Sequence, residues 1–261
     1  MNMLIVSGTG TGVGKTVVTA ALAALARARG EAVAVIKPAQ TGARPGEAGD
    51  LDEVRRLAGV ADLHELARFP DPLSPEAAAL VAGLPPADLR RAADYLGELS
   101  AARDQVLVEG AGGLLVRYDD SGTTIADLAM ALGAPVLVVA AAALGTLNHT
   151  ALTLEALAAR RLRCAGVVIG CWPREPGLAE RSNLAGLEAV IGRPVAGALP
   201  EGAGSLTQEA FLDATRAGLS PALGGDFDPA VFQDELGAPR ASHPPVKALP
   251  STPGPIQYRS M

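Results

Sequence analysis

Aromatic residues make up only 3% of this 261-residue chain, which excludes a core built on stacked rings and leaves the interior to Ala, Val, Leu and Ile. Cysteine is almost missing as well. Cys164 and Cys171 are too few and too widely spaced for a metal knuckle. Seven residues of extended strand would separate them by about 20 Å, beyond the reach of a disulfide. Buried, reduced thiols in a cytosolic protein are the expectation. Positive charge is in deficit, with 22 Lys and Arg against 28 Asp and Glu, a net charge of −6 and a pI near 5.1. That excludes whole-surface attraction to nucleic acid or an anionic membrane. No uninterrupted apolar run reaches membrane-spanning length, and no basic leader precedes the first strand-like segment. The expectation is a soluble, cytoplasmic protein with no nucleic-acid or membrane partner.

What the chain has in quantity is small and aliphatic residues, 49% hydrophobic against 19% charged, enough for one sizeable core. Met3-Leu4-Ile5-Val6-Ser7 is followed by Gly8-Thr9-Gly10-Thr11-Gly12-Val13-Gly14-Lys15-Thr16 and then by an alanine-rich segment from Val17 to Arg29. The pattern predicts strand, phosphate-binding loop and helix. Glycines let backbone N–H groups approach a polyphosphate, and the helix N-terminus adds partial positive charge. Lys15 is then placed for the β- and γ-phosphates, and the Thr16 hydroxyl for a bridging Mg²⁺. A strict G-x-x-x-x-G-K-[ST] pattern would put its first glycine at position 9, where this chain has Thr9. Gly8 stands one residue early.

Further strands are expected where short apolar runs carry β-branched residues, as in a parallel sheet buried on both faces. These are residues 32–36, 105–108, 135–140, 164–170 and 194–200. Helices are expected over residues 51–57, 123–132, 145–163, 176–191 and 205–216, and the proline-punctuated stretch 63–102 reads as helical cover with no chemistry of its own. The fold class is therefore α/β, a single-domain P-loop NTPase-like sandwich with a mostly parallel central sheet flanked by helices. The domain is expected to end at residue 218. Residues 219–261, proline-rich toward the end, are expected to form a largely disordered extension.

Two strand ends carry charge where open α/β sheets bind ligands. Lys37 leads Lys37-Pro38-Ala39-Gln40-Thr41-Gly42, and Glu109 leads Glu109-Gly110-Ala111-Gly112-Gly113. An anion beside a phosphate loop calls for a cation between the two, which makes Glu109 a candidate Mg²⁺ ligand, with structural pairing to a nearby Lys or Arg as the alternative. Asp50, ahead of the short helix, suits either an N-cap or a metal ligand. The segment Gly145-Thr146-Leu147-Asn148-His149 opens a helix whose free N–H groups suit a carboxylate, with His149 a packed or capping residue.

Together with Leu144-Gly145-Thr146-Leu147-Asn148-His149, these motifs resemble dethiobiotin synthetase, its actinobacterial members most, in the right order from the N-terminus to about Gly204. The resemblance implies a homodimeric ligase of biotin biosynthesis. Its members close the ureido ring of dethiobiotin from 7,8-diaminononanoate, CO₂ and ATP, with Mg²⁺. It implies catalytic roles for Lys37, Lys15 and Thr11, and metal ligation by Thr16, Asp50 and Glu109. Nucleotide contacts are implied at Gly12, Val13, Gly14, Lys15, Thr16, Val17, Asp50, Glu109, Gly110, Ala111, Gly112, Gly170, Pro200, Glu201 and Gly202. Substrate contacts are implied at Thr11, Lys37, Thr41 and Gly112, and at Gly145, Thr146, Leu147 and Asn148 of the partner subunit. One departure stands out: where the family often has an Asn-Asp pair that reads adenine, this chain has Gly170-Cys171. Other nucleoside triphosphates are therefore expected to be accepted. Partitioning ATPases and the nitrogenase iron protein share this kind of loop, but carry a lysine where this chain has Gly10. A cobyrinate-type amidating ligase would bring a glutaminase domain, and a plain nucleotide-binding module leaves Lys37 unexplained.

Overall fold

The computed structural model describes residues 2–235. The chain runs β1 (Met3–Gly8), α1 (Lys15–Ala28), β2 (Val33–Lys37), β3 (Gln40–Thr41), α2 (Asp50–Ala58), β4 (Leu63–Glu65), β5 (Arg68–Phe69), α3 (Pro75–Ala82) and α4 (Leu89–Ser100). It continues β6 (Gln105–Gly113), α5 (Ile125–Leu132), β7 (Val136–Ala140), α6 (Thr146–Ala159), β8 (Cys164–Trp172), α7 (Leu178–Ile191), β9 (Gly197–Pro200), α8 (Gln208–Gly218) and α9 (Pro229–Glu235).

Seven strands form one sheet in the order β4-β2-β6-β1-β7-β8-β9, and every pairing in it is parallel. Alternate residues of each strand enter different cores. Met3 and Ile5 of β1 pack with α3, α4 and α5, whereas Leu4 and Val6 pack with α1, α2 and α8. Burial on both faces is why these strands read as continuous apolar runs rather than alternating ones. A third cluster joins Ile169 and Trp172 of β8 to Leu184 and Leu187 of α7. Among the described residues, no helix is long and apolar enough to cross a membrane.

Strand order decides where the chemistry sits. The connection from β1 to β2 skips one position, and β6 fills the gap. Val6 is paired with Glu109, and Ile36 with Val108. The carboxyl ends of three strands remote in sequence thus lie side by side at a switch point, the usual ligand position in open α/β sheets.

Several expectations fail here for identifiable reasons. The 63–102 stretch contains two short strands besides α3 and α4; β5 pairs with β3 in a separate two-stranded sheet. The thiols are free but not buried, Cys164 being half-buried and Cys171 exposed at the end of β8. His149 is exposed rather than packed. Residue 218 is not where packing stops: Leu219 is buried beside β9, and the Phe232 ring meets Trp172 edge-on and Phe227 at a tilt, each with ring centroids 5.2 Å apart. These apolar residues follow no helical or strand period, so the sequence pattern did not reveal them. The rest of the expected extension, residues 236–261, lies outside the described residues.

Candidate active site

Between β1 and α1 the chain folds back over its own strand end. Gly12 and Gly14 adopt left-handed backbone conformations, φ +74° and +93°, which residues with a Cβ reach only at a cost. A Cβ on Gly8 would lie 2.8 Å from Val13 Cγ2 and 2.9 Å from the Gly10 carbonyl oxygen. The early glycine is therefore the one over which the loop closes. Lys15 Nζ donates to the Gly10 carbonyl at 2.9 Å, so the lysine lies along the loop. Burial, and next to it the charge on Lys37, pull its pKa down to about 8.

A second cation faces it from β2. Lys37, 3% exposed, pairs with Glu109 Oε1 at 2.8 Å and with Asp50 Oδ2 at 2.5 Å. Burial alone would lower its pKa, but the two carboxylates outweigh burial and hold it above the ordinary lysine value. Glu109 is fully buried and its Oε1 also accepts the Thr16 hydroxyl at 2.9 Å. Asp50 is not the N-cap of α2. That position is held by Gly49, and Asp50 is the first helical residue, its carboxylate turned onto Lys37.

Thr11, Gly12, Gly14, Lys15, Thr16, Val17, Lys37, Thr41, Asp50, Glu109, Ala111 and Gly112 line one cavity of about 590 Å³. The side chains of residues 15, 37 and 109 thus open into a single space. A larger hollow of about 960 Å³ near Pro38, Pro85 and Tyr95 contains neither the phosphate loop nor either lysine. Other implied residues are not brought into the smaller cavity. Gly110 backs onto Ile125. Val13 and Gly170 pack against each other behind the loop, where a Cβ on Gly170 would sit 2.0 Å from the Val13 carbonyl oxygen. Pro200, Glu201 and Gly202 lie by the end of β8, where Glu201 accepts the Arg174 N–H at 3.1 Å. Gly145, Thr146, Leu147 and Asn148 form the start of α6 away from the cavity, with Leu147 packed on Gly186.

Sequence reasoning missed part of the wall. Gln40, Pro72, Leu73, Ser74, Pro75 and Val116 also line the cavity, so the stretch after Leu63 is more than cover. Ser74-Pro75 was a readable helix start, a cap-type residue before a proline at the first helical position. Nothing in the sequence pointed that helix at the phosphate loop. Buried Tyr118, whose hydroxyl accepts the Ala111 N–H at 2.7 Å, steadies the glycine-rich turn after Glu109.

The residues suit a small hard cation. Glu109 Oε2 is buried and has no hydrogen-bond partner among the described residues, a state that costs free energy unless something binds it. Among the described residues no three His, Cys, Asp or Glu side chains cluster as a metal cage. Two carboxylates and a hydroxyl beside a phosphate loop are instead the donor set Mg²⁺ uses when ligand phosphates complete its shell.

Comparison with known proteins shows the family and the fold. The AAA domain family matches residues 2–209. ATP-dependent dethiobiotin synthetase BioD of Parafrankia sp. is 62% identical over 89% of this chain and 98% of its own length. That of Streptomyces avermitilis is 55% identical over 89% and 98%, and that of Mycobacterium avium 56% identical over 84% and 95%. Among solved structures, the Pyrococcus furiosus cell division ATPase MinD matches with TM-score 0.50 and 20% identity, over 82% of this chain and 97% of that one. A ParA family ATPase from Chlorobium tepidum matches with TM-score 0.51 and 14% identity, over 90% and 98%. Those two likenesses speak to the fold alone, whereas the first three cover 84–89% of this chain at 55–62% identity, and on them the chain belongs to the ATP-dependent dethiobiotin synthetase family.

Proposed function

We propose that the cavity binds a nucleoside triphosphate and a carbamate of 7,8-diaminononanoate and transfers the γ-phosphoryl group between them, on the way to the cyclic urea of dethiobiotin. As a member of its family the protein is an ATP-dependent ligase of biotin biosynthesis. The observation that carries the residue-level reading is the convergence of Lys15, Lys37, Thr16, Asp50 and Glu109 on one cavity. One amine of the substrate takes up CO₂ and loses a proton to give the carbamate. A carbamate oxygen attacks the γ-phosphorus and ADP leaves. The second amine then attacks the carbonyl carbon, phosphate departs with the carbamate oxygen, and a proton is released as the ring closes. Because both amines belong to one molecule, the last step is intramolecular and has a high effective molarity.

Phosphoryl transfer rests on positioning and charge neutralisation. Lys15 supplies positive charge from the loop and Lys37 from the opposite wall, next to the carbamate. Thr11, Thr41 and Gly112 border the substrate. Thr16, Asp50 and Glu109 would hold Mg²⁺, which would supply charge neutralisation for the phosphoryl transfer. Gly170 and Cys171, with Pro200, Glu201 and Gly202, form the nucleotide base site. No side-chain amide is present at Gly170, so base selectivity is loose and CTP or GTP replaces ATP with less than about a hundredfold loss of kcat/KM.

The working form is a homodimer. Leu80 and Val81 of α3, Leu152 of α6 and Leu144 just before it are all more than half exposed, and the start of α6 lies outside the cavity of its own chain. There the Thr146 N–H donates to the Ala143 carbonyl at 3.2 Å, which leaves the next N–H groups, those of Leu147 and Asn148, for the substrate carboxylate of a partner subunit. A partitioning-type switch is the alternative, and turnover separates the two. Diaminononanoate with bicarbonate should accelerate nucleotide hydrolysis strongly and yield dethiobiotin; hydrolysis indifferent to both would contradict the proposal.

A further inference from the structure

Asp50 reaches Lys37 from a loop-borne helix end, and three observations explain why it stays there. The residue preceding α2 is Gly49, which has no side chain with which to cap the helix. In its place Gln40, 5% exposed, accepts the Asp50 backbone N–H through Oε1 at 2.8 Å. Through Nε2, Gln40 donates to the Thr41 carbonyl at 2.9 Å. A Cβ on residue 49 would lie 2.9 Å from Gln40 Oε1 and 3.0 Å from Arg68 Nη2, so glycine at 49 leaves the space that Gln40 occupies.

The arrangement follows from the smallest sheet in the protein. β3 and β5 pair Gln40 with Arg68, which aims both side chains at the loop carrying Asp50. Arg68 is itself fixed by Glu65, with contacts of 2.6 and 2.7 Å, and donates to the carbonyls of Arg44 and Glu47 at 3.1 and 2.8 Å. The loop is therefore gripped in its middle by Arg68 and at its end by Gln40.

We infer that Gln40 is a positioning residue for Asp50: its side-chain amide, capping α2 from outside, sets the Asp50 carboxylate against Lys37 and into the metal and phosphate site. This rests on the reading above in which Asp50 takes part in that site. Gln40 need not touch the reacting atoms; it acts through the backbone N–H of Asp50. Without the amide, the Asp50 N–H loses its acceptor, the start of α2 is capped only by the Asp52 carboxylate accepting the Gly49 N–H at 2.8 Å, and Asp50 samples positions away from Lys37.

A double-mutant cycle between Gln40→Met and Asp50→Asn tests this, read as kcat/KM and as the affinity of the nucleotide complex for Mn²⁺ followed by electron paramagnetic resonance. Methionine keeps the length of the side chain and removes both hydrogen bonds, and thermal unfolding checks that each variant is folded. Gln40→Met alone should weaken Mn²⁺ binding and lower kcat/KM by about tenfold, the value of one to two lost hydrogen bonds. In the Asp50→Asn background the same change should have less than a twofold effect on either readout, because the group being positioned is gone. Equal effects of Gln40→Met in both backgrounds would overturn the inference. If Asp50→Asn leaves Mn²⁺ affinity and kcat/KM unchanged while Gln40→Met lowers them, the assignment of Asp50 to the site fails, and Gln40 acts by another route. Should Gln40→Met not fold, Gln40→Leu takes its place in the same cycle: it too removes both hydrogen bonds without adding charge, and equal effects in the two backgrounds would again overturn the inference.

Discussion

Removing Lys37 separates its two tasks, charge balance within the fold and charge supply to the reaction. Its ammonium group is almost completely buried between Glu109, fully buried, and Asp50, about one-third exposed. Lys37→Met keeps most of the volume but leaves Glu109 without its counter-ion. Breaking a buried pair in this way costs about 3–5 kcal/mol, a large share of a total stability of about 5–15 kcal/mol. At about 2–4 °C per kcal/mol for a chain of this size, the melting temperature should fall by roughly 6–20 °C. Because the two carboxylates hold Lys37 above its ordinary value, its contribution is fully present at neutral pH and is lost as the pH rises into strong alkali. The comparison is therefore made at pH 7.5. Adding Glu109→Gln removes the fully buried stranded charge and should restore most of the stability, because the carboxylate that remains, Asp50, is about one-third exposed and can be solvated. Turnover should not follow. Losing one preorganised charge facing the phosphoryl group costs about 10²–10³ in kcat, and the double variant should be at least as impaired as the single one. Urea unfolding and dethiobiotin formation, measured on the same four proteins, give both readouts. A single variant as stable as the parent, or a double variant no more stable than Lys37→Met, would refute the pairing; unchanged kcat in Lys37→Met would remove Lys37 from the mechanism.

Further consequences follow from the loop and the chain end. Lys15 titrates near 8 in the free protein and phosphates will raise that value, so nucleotide binding should take up about 0.7 proton at pH 8.5 and about 0.1 at pH 7. Calorimetry in buffers of different ionisation enthalpy measures this, and equal uptake at the two pH values would contradict the burial argument. Gly170→Ala places a methyl group against the Val13 carbonyl and should weaken nucleotide binding at least tenfold while the sheet still folds. Circular dichroism and a binding titration check the two halves of that statement. Ending the chain after residue 235 should leave melting temperature and turnover unchanged. Ending it after residue 218 removes Leu219, Phe227 and Phe232 from their packing against β8 and β9 and should lower stability by about 3 kcal/mol or more, as read by urea unfolding.

The sheet and the phosphate loop were legible because both are written locally. Buried parallel strands are short apolar runs, and Gly14-Lys15-Thr16 between a strand and a helix has a single straightforward chemistry. Lys37 and Glu109 were legible as charges ending such runs. Their pairing was not, since it depends on β6 inserting between β1 and β2, and strand order leaves no periodic trace. Asp50 was ambiguous for the same reason: a first-turn aspartate looks alike whether it caps a helix or reaches across a cavity. β3 and β5 have two residues each, below the length at which alternation can be read, so Gln40 and Arg68 gave no signal. The packed segment from Leu219 to Phe232 escaped because Pro221, Gly224, Gly225 and Pro229 break up its apolar residues and make the stretch read as a loop.

The account turns on a carbamate oxygen attacking the γ-phosphorus inside the cavity of Lys15, Lys37 and Glu109. Rapid single turnover with ¹⁸O-labelled CO₂, diaminononanoate and excess enzyme, followed by mass analysis of the inorganic phosphate, reads that step directly. One labelled oxygen should appear in the phosphate for each dethiobiotin formed. Dethiobiotin formed with unlabelled phosphate, its new oxygen drawn from water, would contradict it.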